Sequence, residues 1–275
     1  MTKILICGAS GTIGSELLAY LVGKGHHVLA HRRDEPLVLD GFDVVINLAG
    51  ESINGYWTQS KKEKIRSSRV DTTKKIVDAI KLSAKPPKLF LSASATGYYG
   101  DVTHQVSEGA SCGSCFLADV CREWEQEANR AKDVCRVVNM RFAMVLTPRG
   151  GALKTMLVPF KIGLGAVLGS GNQMMSWVSI VDLMNIVEFC IVNEVSGPIN
   201  ICAPNSITNR EFTATLAKAV NMPAFLKAPA WLLKALLGEM AEEVLLSNTN
   251  AYPQKLLQQG YHFQHDTLID ALKNL

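Results

Sequence analysis

Three glycines near the amino terminus have the spacing of a phosphate-binding turn. Gly8, Gly11 and Gly14 recur at every third residue in the stretch KILICGASGTIG. Without a Cβ atom, glycines at such positions let the backbone turn tightly, approach a pyrophosphate and pack the following helix on its sheet. The free N–H groups and the positive dipole end of that helix would point at the same turn. The pattern therefore predicts a dinucleotide phosphate site.

Hydroxyl side chains are concentrated in a second stretch, SASATGYYG, which follows an apolar run. Ser94 lies near the expected end of a strand, where a nicotinamide and a substrate carbonyl would meet, so it could hydrogen-bond the reacting oxygen. Tyr98 and Tyr99 could supply a phenolic proton beside it, but aromatic packing at a strand end is the commoner role of such residues. These three residues are the catalytic candidates.

The elements around the glycine turn support the phosphate assignment. Lys3 begins an apolar run of strand character, and Thr12 begins a helical pattern whose apolar stripe comprises Ile13, Leu17, Leu18, Leu21 and Val22. A glycine triplet alone is a weak signal, whereas one between a strand and a helix is typical of nucleotide binding. The alternative is a structural glycine-rich turn without a ligand.

The second predicted strand, residues 27–31, indicates which dinucleotide is bound. The residue that ends this strand normally faces the adenosine ribose, and an acidic side chain there would favour NAD. Here Arg32 and Arg33 follow His31. Guanidinium groups suit a 2′-phosphate, so we expect a preference for NADP(H). The alternative is that both arginines are simply solvated in a loop.

The next strong strand, residues 43–48, follows Arg33 after only about ten residues, too few for a full helix and strand. The second βα unit should therefore be truncated. Small residues end this third strand, as expected where the backbone passes close to a cofactor at the carboxyl edge of a parallel sheet. The fold class expected is α/β, a doubly wound parallel sheet of the Rossmann type.

The second half of the chain should form a smaller mixed lobe on the substrate side. We expect residues 1–148 to form the NADP(H)-binding domain and residues 149–275 the C-terminal lobe, with one further strand of the sheet possible from this half. The glycine-rich stretch 163–171 should be a flexible loop. A helix after Pro229 carries Trp231, Leu232, Leu236 and Leu237. This apolar face could be a partner surface, but burial against the same lobe is the commoner outcome for such a stripe.

Composition excludes several classes of function. The chain has 275 residues, 48% hydrophobic and 19% charged, with a net charge of +3, and lacks the clustered basic surface of a nucleic-acid binder. No membrane span or signal peptide is indicated, so we expect a cytoplasmic protein. Seven cysteines suggest reduced thiols, and the pair Cys112 and Cys115 lacks the further ligands of a metal site, so none is expected.

Seven ordered blocks together resemble a known family: GASGTIG, NLAGE, SRVDTT, SASATGYYG, FLADVCREWE, GSGNQMMSWVSIVDL and NICAPNSITNREF. The chain is similar to the atypical, epimerase-like short-chain dehydrogenase/reductases, often labelled nucleoside-diphosphate-sugar epimerases or cell-division inhibitors, and includes that family's C-terminal segment of unknown function. The match covers almost the whole chain.

The resemblance implies the roles of the binding residues. The pyrophosphate would be held by Gly8, Ser10, Gly11, Thr12, Ile13 and Gly14. The adenosine phosphate end would be held by His31 and Arg32, and the cofactor groove would be lined by Leu48, Ala49 and Gly50. The resemblance also places Arg69 and Val145 against the cofactor.

The catalytic pattern of the superfamily is not present. Its proton donor is a Tyr followed four residues later by a Lys that lowers the phenol pKa. The corresponding block, residues 116–125, contains neither residue. The expected function is an NADP(H)-dependent oxidoreductase or epimerase acting on a small polar or sugar-like carbonyl substrate. The alternative is a non-catalytic NADP(H)-binding sensor or scaffold. The oligomeric state, monomer or homodimer, is left open.

Overall fold

The computed structural model describes residues 1–32 and 35–273. In chain order its strands are β1 Lys3–Cys7, β2 His27–His31, β3 Val44–Asn47, β4 Leu89–Ala95, β5 Arg136–Phe142, β6 Met144–Leu146, β7 Ala166–Leu168, β8 Met174–Met175, β9 Trp177–Ser179, β10 Gly197–Ile201, β11 Ile207–Thr208 and β12 Leu226–Ala228.

The α-helices in the same described residues are α1 Thr12–Gly23, α2 Gln59–Leu82, α3 Phe116–Asn129, α4 Gly151–Lys161, α5 Ile180–Val192, α6 Asn209–Ala219, α7 Ala230–Leu237, α8 Gln254–Gln258 and α9 Leu268–Leu272. A 3-10 helix spans Thr96–Tyr99, and one turn of π-helix spans Ala241–Leu245.

Six strands form one parallel sheet in the order β10-β5-β4-β3-β1-β2. The strands are nearly continuous apolar runs because both faces of the sheet are covered by helices. Alternate residues such as Ile4 and Ile6 pack under α1 and α5 on one face. The intervening residues Leu5 and Val45 pack under α2 and α3 on the other. The predicted doubly wound parallel fold is confirmed.

The connection from β2 to β3 has no helix, as the short spacing predicted. The chain instead crosses the sheet as a loop whose Leu39 and Phe42 are buried among the side chains of the α2 face. The chain runs from β1 through α1 to β2 on one side of β1 and then crosses over to β3 on the other side, so the strand order reverses at β1. That arrangement opens a crevice at the ends of β1 and β3, where α/β sheets bind ligands.

The second half of the chain does not stay apart from the sheet. Strand β10 forms its edge beside β5, and helix α5 packs on α1, where the Tyr20 hydroxyl donates to Asn185 Oδ1 at 2.7 Å. The rest of this half surrounds a separate apolar cluster that includes Phe160, Trp177 and Phe212.

Two expectations for the C-terminal lobe were wrong. The stretch 163–171 is not all loop, because it contains β7, which pairs in parallel with β12. Most of the apolar stripe of α7 is left uncovered by the described residues: Trp231 is 70% exposed and Leu236 64% exposed. In the described residues no helix is both long enough and apolar enough to cross a membrane.

Candidate functional site

The glycine turn between β1 and α1 lies directly against the end of β3. Gly8 has φ +86°, and a Cβ on it would lie 2.7 Å from the backbone nitrogen of Ala49. A Cβ on Gly14 would lie 2.3 Å from the carbonyl oxygen of Gly8. Both positions therefore exclude larger residues, and their missing Cβ atoms let the turn pack tightly against the end of β3 and against α1.

Helix α1 begins at this turn without a side-chain cap. Its N-cap residue is Gly11, which has no side chain to accept from the first free N–H groups, and its first turn contains no acidic residue. Ser10 is exposed, whereas Thr12 and Ile13 are half-buried. Uncapped N–H donors at a helix amino terminus suit an anion, so the residues fit the pyrophosphate of a dinucleotide.

The wall of the crevice is formed by the segment that follows β3. Asn47 is buried and its Oδ1 accepts from the N–H of Ala49 at 3.1 Å, which fixes the path of Leu48 and Ala49. Gly50 continues this wall, and a Cβ on it would lie 3.3 Å from Cζ of Arg69. The small residues therefore leave space that the Arg69 guanidinium borders.

Arg69 is a half-buried cation at the edge of this wall. Its Nη1 donates to the carbonyl oxygen of Ile65 at 3.0 Å, and its guanidinium lies 5.4 Å from the ring centre of Trp124. Burial lowers the Arg69 pKa below its usual value. Within residues 1–32 and 35–273 it forms no salt bridge, so its charge is available at the crevice.

The residues expected at the adenosine end follow the neighbouring strand. His31 ends β2 and is in register with Cys7 of β1, one residue before Gly8. The side chain of Arg32 is 80% exposed, with Nε 3.8 Å from Glu35 Oε1. Arg33 lies outside the described residues. Val145, on β6, is half-buried and packs against the main core beside the crevice.

Ser94 is buried at the end of β4, and its hydroxyl donates to Glu125 Oε1 at 2.7 Å. Glu125, on α3, also forms a two-point ion pair with Arg141 of β5, with Nε to Oε1 at 2.7 Å and Nη2 to Oε2 at 2.8 Å. All three side chains are buried. The Ser94 proton is thus committed to Glu125, which disfavours Ser94 as the donor to a substrate oxygen.

The two tyrosines contact the same arginine in different ways. The Tyr99 hydroxyl donates to Asn200 Oδ1 at 2.7 Å and accepts from Arg141 Nη1 at 2.9 Å. Burial raises the pKa of Tyr99 to about 12, so it is a neutral, hydrogen-bonded part of the interior. Tyr98 is half-buried, and the Arg141 guanidinium lies 3.6 Å from its ring centre. Tyr98 is therefore the better candidate proton donor of the two.

Helix α3 presents apolar and thiol groups where the superfamily has its Tyr and Lys. Leu117 is the side chain that a Cβ on Gly97 would meet, at 3.6 Å. Cys121, one turn on, is buried beside Ser94, and burial raises its pKa to about 12. Phe116, at the start of the same helix, packs edge-on against Trp57, with ring centres 5.3 Å apart.

Sequence reasoning missed the ionic centre of this site. Glu125 and Arg141 join Ser94, Tyr98 and Tyr99 into one buried network, although the motif contained only the serine and the tyrosines. A signal was present: Arg141 interrupts an otherwise apolar strand, RVVNMRF, and such a charge needs a buried partner.

The cysteines and other possible metal ligands are the remaining candidates for chemistry in this chain. All seven cysteines are free thiols, and five of them are buried. In the part of the chain that the structure describes, no group of three or more His, Cys, Asp or Glu side chains could hold a metal ion.

Comparisons with known proteins identify the family of the chain. The model of the NAD dependent epimerase/dehydratase family matches residues 4–202, and that of a domain of unknown function, DUF1731, matches residues 228–275. Epimerase family protein Mb2239 of Mycobacterium bovis is 38% identical, with 98% of this chain and 96% of that protein covered. Epimerase family protein SA0724 of Staphylococcus aureus is 34% identical over 100% of this chain and 99% of its own length.

A solved structure is similar over nearly the whole chain. The crystal structure of human epimerase family protein SDR39U1, isoform 2, with NADPH superimposes with a TM-score of 0.94 and 31% identity, covering 99% of this chain and 98% of that one. The resemblance expected from the sequence is confirmed. The chain belongs to the NAD dependent epimerase/dehydratase family and ends in a DUF1731 domain.

Proposed function

We propose that this chain is an NADP(H)-dependent oxidoreductase acting on a small polar or sugar-like carbonyl substrate. The bare glycine turn against the end of β3 carries the binding half of this proposal, because its uncapped helix and missing Cβ atoms fit a pyrophosphate. The human relative crystallised with NADPH supports the same cofactor. When bound, the nicotinamide would supply or accept a hydride.

The preference for NADP(H) over NAD(H) rests on Arg32. The residue follows the end of β2 with its guanidinium exposed, and among residues 1–32 and 35–273 its ion-pair contact is the weak one with Glu35 at 3.8 Å. A guanidinium can hold a 2′-phosphate through two hydrogen bonds. We expect Arg32→Ala to weaken NADPH binding by about tenfold or more and to leave NADH binding nearly unchanged. Equal affinities of the wild type for NADPH and NADH would overturn the proposed preference for NADP(H).

Tyr98 is the proton donor that the geometry favours. Burial raises the pKa of its phenol above the usual value, while the Arg141 cation beside the ring opposes that rise. The phenol is therefore protonated at neutral pH and can donate a proton, and the adjacent cation would stabilise the phenolate formed. Arg141 would thus supply, from strand β5, the positive charge that the superfamily's lysine supplies from the helix corresponding to α3.

The test measures NADPH binding by fluorescence and then NADPH oxidation with a panel of aldehydes, ketones and nucleotide sugars. With a substrate identified, Tyr98→Phe should lower kcat at least about a hundredfold while the Kd for NADPH stays unchanged, because only the acid is removed. Ser94→Ala should lower turnover less, since the Ser94 proton is held by Glu125. Full activity of Tyr98→Phe would exclude Tyr98 as the acid.

One observation favours a second function, a non-catalytic NADP(H) sensor or scaffold. Leu117 and Cys121 occupy the helix face beside Gly97 and Ser94, and neither can transfer a proton readily at neutral pH. Tight NADPH binding without turnover across the whole panel would favour this function over the oxidoreductase. Absence of NADPH binding would contradict both.

A further inference from the structure

The turn after β6 crosses from the second half of the chain onto the first turn of α1. Gly150 lies so close to Thr12 that a Cβ on it would be 2.1 Å from Thr12 Oγ1. The Thr147 hydroxyl donates to Glu16 Oε1 at 2.8 Å and accepts from the N–H of Arg149 at 3.3 Å. Residues 147–150 are therefore fixed against the helix that begins at the phosphate turn.

Arg149 is the cation of this turn, and it is held only loosely. Its side chain is 76% exposed, and Nη1 lies 3.9 Å from Glu16 Oε2, the far limit of an ion pair. Glu16 follows Thr12 by four residues, so both lie on one face of α1, about one helical turn of 5.4 Å apart. An arginine side chain can cover that distance by a change of rotamer.

The Glu16 carboxylate near the start of α1 would oppose anion binding unless a nearby cation offset its charge. The first helical turn has no acidic residue, but Glu16 in the next turn places a carboxylate near the anion that the turn would bind. Like charges at this spacing repel. Arg149 offsets the Glu16 charge and can then donate to a phosphate oxygen beside the free N–H groups.

We propose that Arg149 binds the pyrophosphate of the bound dinucleotide, so that the second half of the chain supplies a cofactor contact. This assignment rests on the proposed NADP(H) binding. It differs in kind from the role proposed for Arg32. The pyrophosphate is common to NADPH and NADH, whereas the 2′-phosphate is present in NADPH alone.

The experiment compares Kd values of NADPH and NADH for the full chain by fluorescence or calorimetric titration. Arg149→Ala should weaken both dinucleotides by the same factor, about tenfold or more, and Arg149→Lys should recover part of that loss. Arg32→Ala should weaken NADPH alone. Lys161→Ala removes an equal charge at the other end of α4, about 15 Å from its start, and should change neither Kd.

Three outcomes would overturn the assignment. They are unchanged affinity for both dinucleotides in Arg149→Ala, a loss confined to NADPH, or an equal loss in Lys161→Ala. Each of them leaves NADP(H) binding itself intact. A wild-type chain that binds neither dinucleotide would instead refute the proposed function together with this assignment. Because Arg149 is exposed, thermal unfolding of its variants without ligand should match the wild type.

Discussion

Gly8 and Gly25 have nearly the same backbone conformation, with φ of +86° and +85°, in different surroundings. A Cβ on Gly8 would meet the backbone of Ala49 at 2.7 Å, whereas one on Gly25 would meet nothing within 4 Å. The pair therefore separates the energy of a left-handed backbone from that of a steric clash at the binding turn.

We expect Gly25→Ala to lower the free energy of unfolding by about 1–2 kcal/mol through backbone strain alone. Gly8→Ala should lower it by about 2–5 kcal/mol, because overpacking adds to the same strain, and should also weaken NADPH binding. Urea unfolding and NADPH titration of both variants provide the measurement. Equal losses of stability in the two variants would contradict the close approach at Gly8.

The Glu125–Arg141 pair gives a second prediction at the level of single residues. Removing one member leaves the other as an uncompensated buried charge, so Glu125→Ala should lower the free energy of unfolding by about 3–5 kcal/mol. Replacing both with apolar residues, as in Glu125→Leu with Arg141→Met, should recover most of that loss. A loss below about 1 kcal/mol in the single variant would show that solvent reaches the pair.

Single residues also show how far sequence reasoning extends. The glycine turn could be predicted because its spacing and its place between strand and helix are local properties of the chain. The commitment of Ser94 to Glu125 could not, because the two residues are 31 positions apart and meet only when α3 packs on β4. Arg141 was visible as a charge in an apolar strand, but its contacts with Glu125, Tyr98 and Tyr99 were not.

At the level of elements, helix α3 depends on a residue of the C-terminal domain. Glu243 accepts from the N–H groups of Phe116 and Leu117, at 3.0 and 2.9 Å, and so caps a helix whose own N-cap, Cys115, makes no side-chain hydrogen bond. A carboxylate at this position satisfies free donors and interacts favourably with the helix dipole.

We expect Glu243→Ala to destabilise the protein by about 1–2 kcal/mol through loss of this cap. Glu242→Ala is the matched control, because Glu242 pairs with the exposed Lys234 and such pairs contribute about 0–1 kcal/mol. Thermal unfolding and hydrogen exchange at the start of α3 measure the two effects. Equal effects of the two variants would mean that the cap is not stabilising α3.

A helix or strand could be predicted where the period of its apolar residues, or the number of residues between two strands, determines what can form. The β2–β3 connection was foreseen as truncated because about ten residues cannot hold a helix and a strand. The exposure of α7 was not, since an apolar stripe predicts an amphipathic helix without saying what covers it. Strand β7 was missed within a glycine-rich stretch because it is stabilised by pairing with β12, about 60 positions away.

At the scale of the whole molecule, the buried cysteine thiols make the free energy of unfolding depend on pH. Burial raises the pKa values of Cys7, Cys121 and Cys190 to about 12 and that of Cys135 to about 11, from an ordinary value of 9.0. Above pH 9 the unfolded chain releases thiol protons that the folded chain retains. Stability is therefore fully present below about pH 9 and falls as pH rises from 9 towards 12.

We expect the free energy of unfolding, measured by urea in reducing buffer, to be several kcal/mol lower at pH 10 than at pH 8. In Cys190→Ala the difference between the two pH values should shrink by about 1 kcal/mol, because one thiol no longer titrates on unfolding. The comparison uses the difference in unfolding free energy between pH 8 and pH 10 within each variant. The packing cost of the substitution is the same at both pH values and therefore cancels. An unchanged difference would show that the Cys190 thiol does not contribute.

Buried carboxylates bind the C-terminal domain, residues 228–275, to the epimerase-family part of the chain. Asp182, at the start of α5, accepts from the N–H groups of Gln264 and His265 at 2.8 and 2.9 Å, and from the Tyr261 hydroxyl at 3.1 Å. Glu108 similarly accepts from the N–H of Asn200 at 3.0 Å and lies against that of Lys255. The C-terminal domain thus completes the hydrogen bonds of groups in the core.

The position of Asp182 has a consequence for biosynthesis. A chain made from its amino terminus produces Asp182 about 80 residues before the N–H donors that satisfy it. Until residues 264 and 265 have left the ribosome, water must take the place of their two N–H donors at this carboxylate. A nascent chain stalled before residue 264 would therefore carry α5 with two hydrogen bonds of its Asp182 carboxylate still made to water.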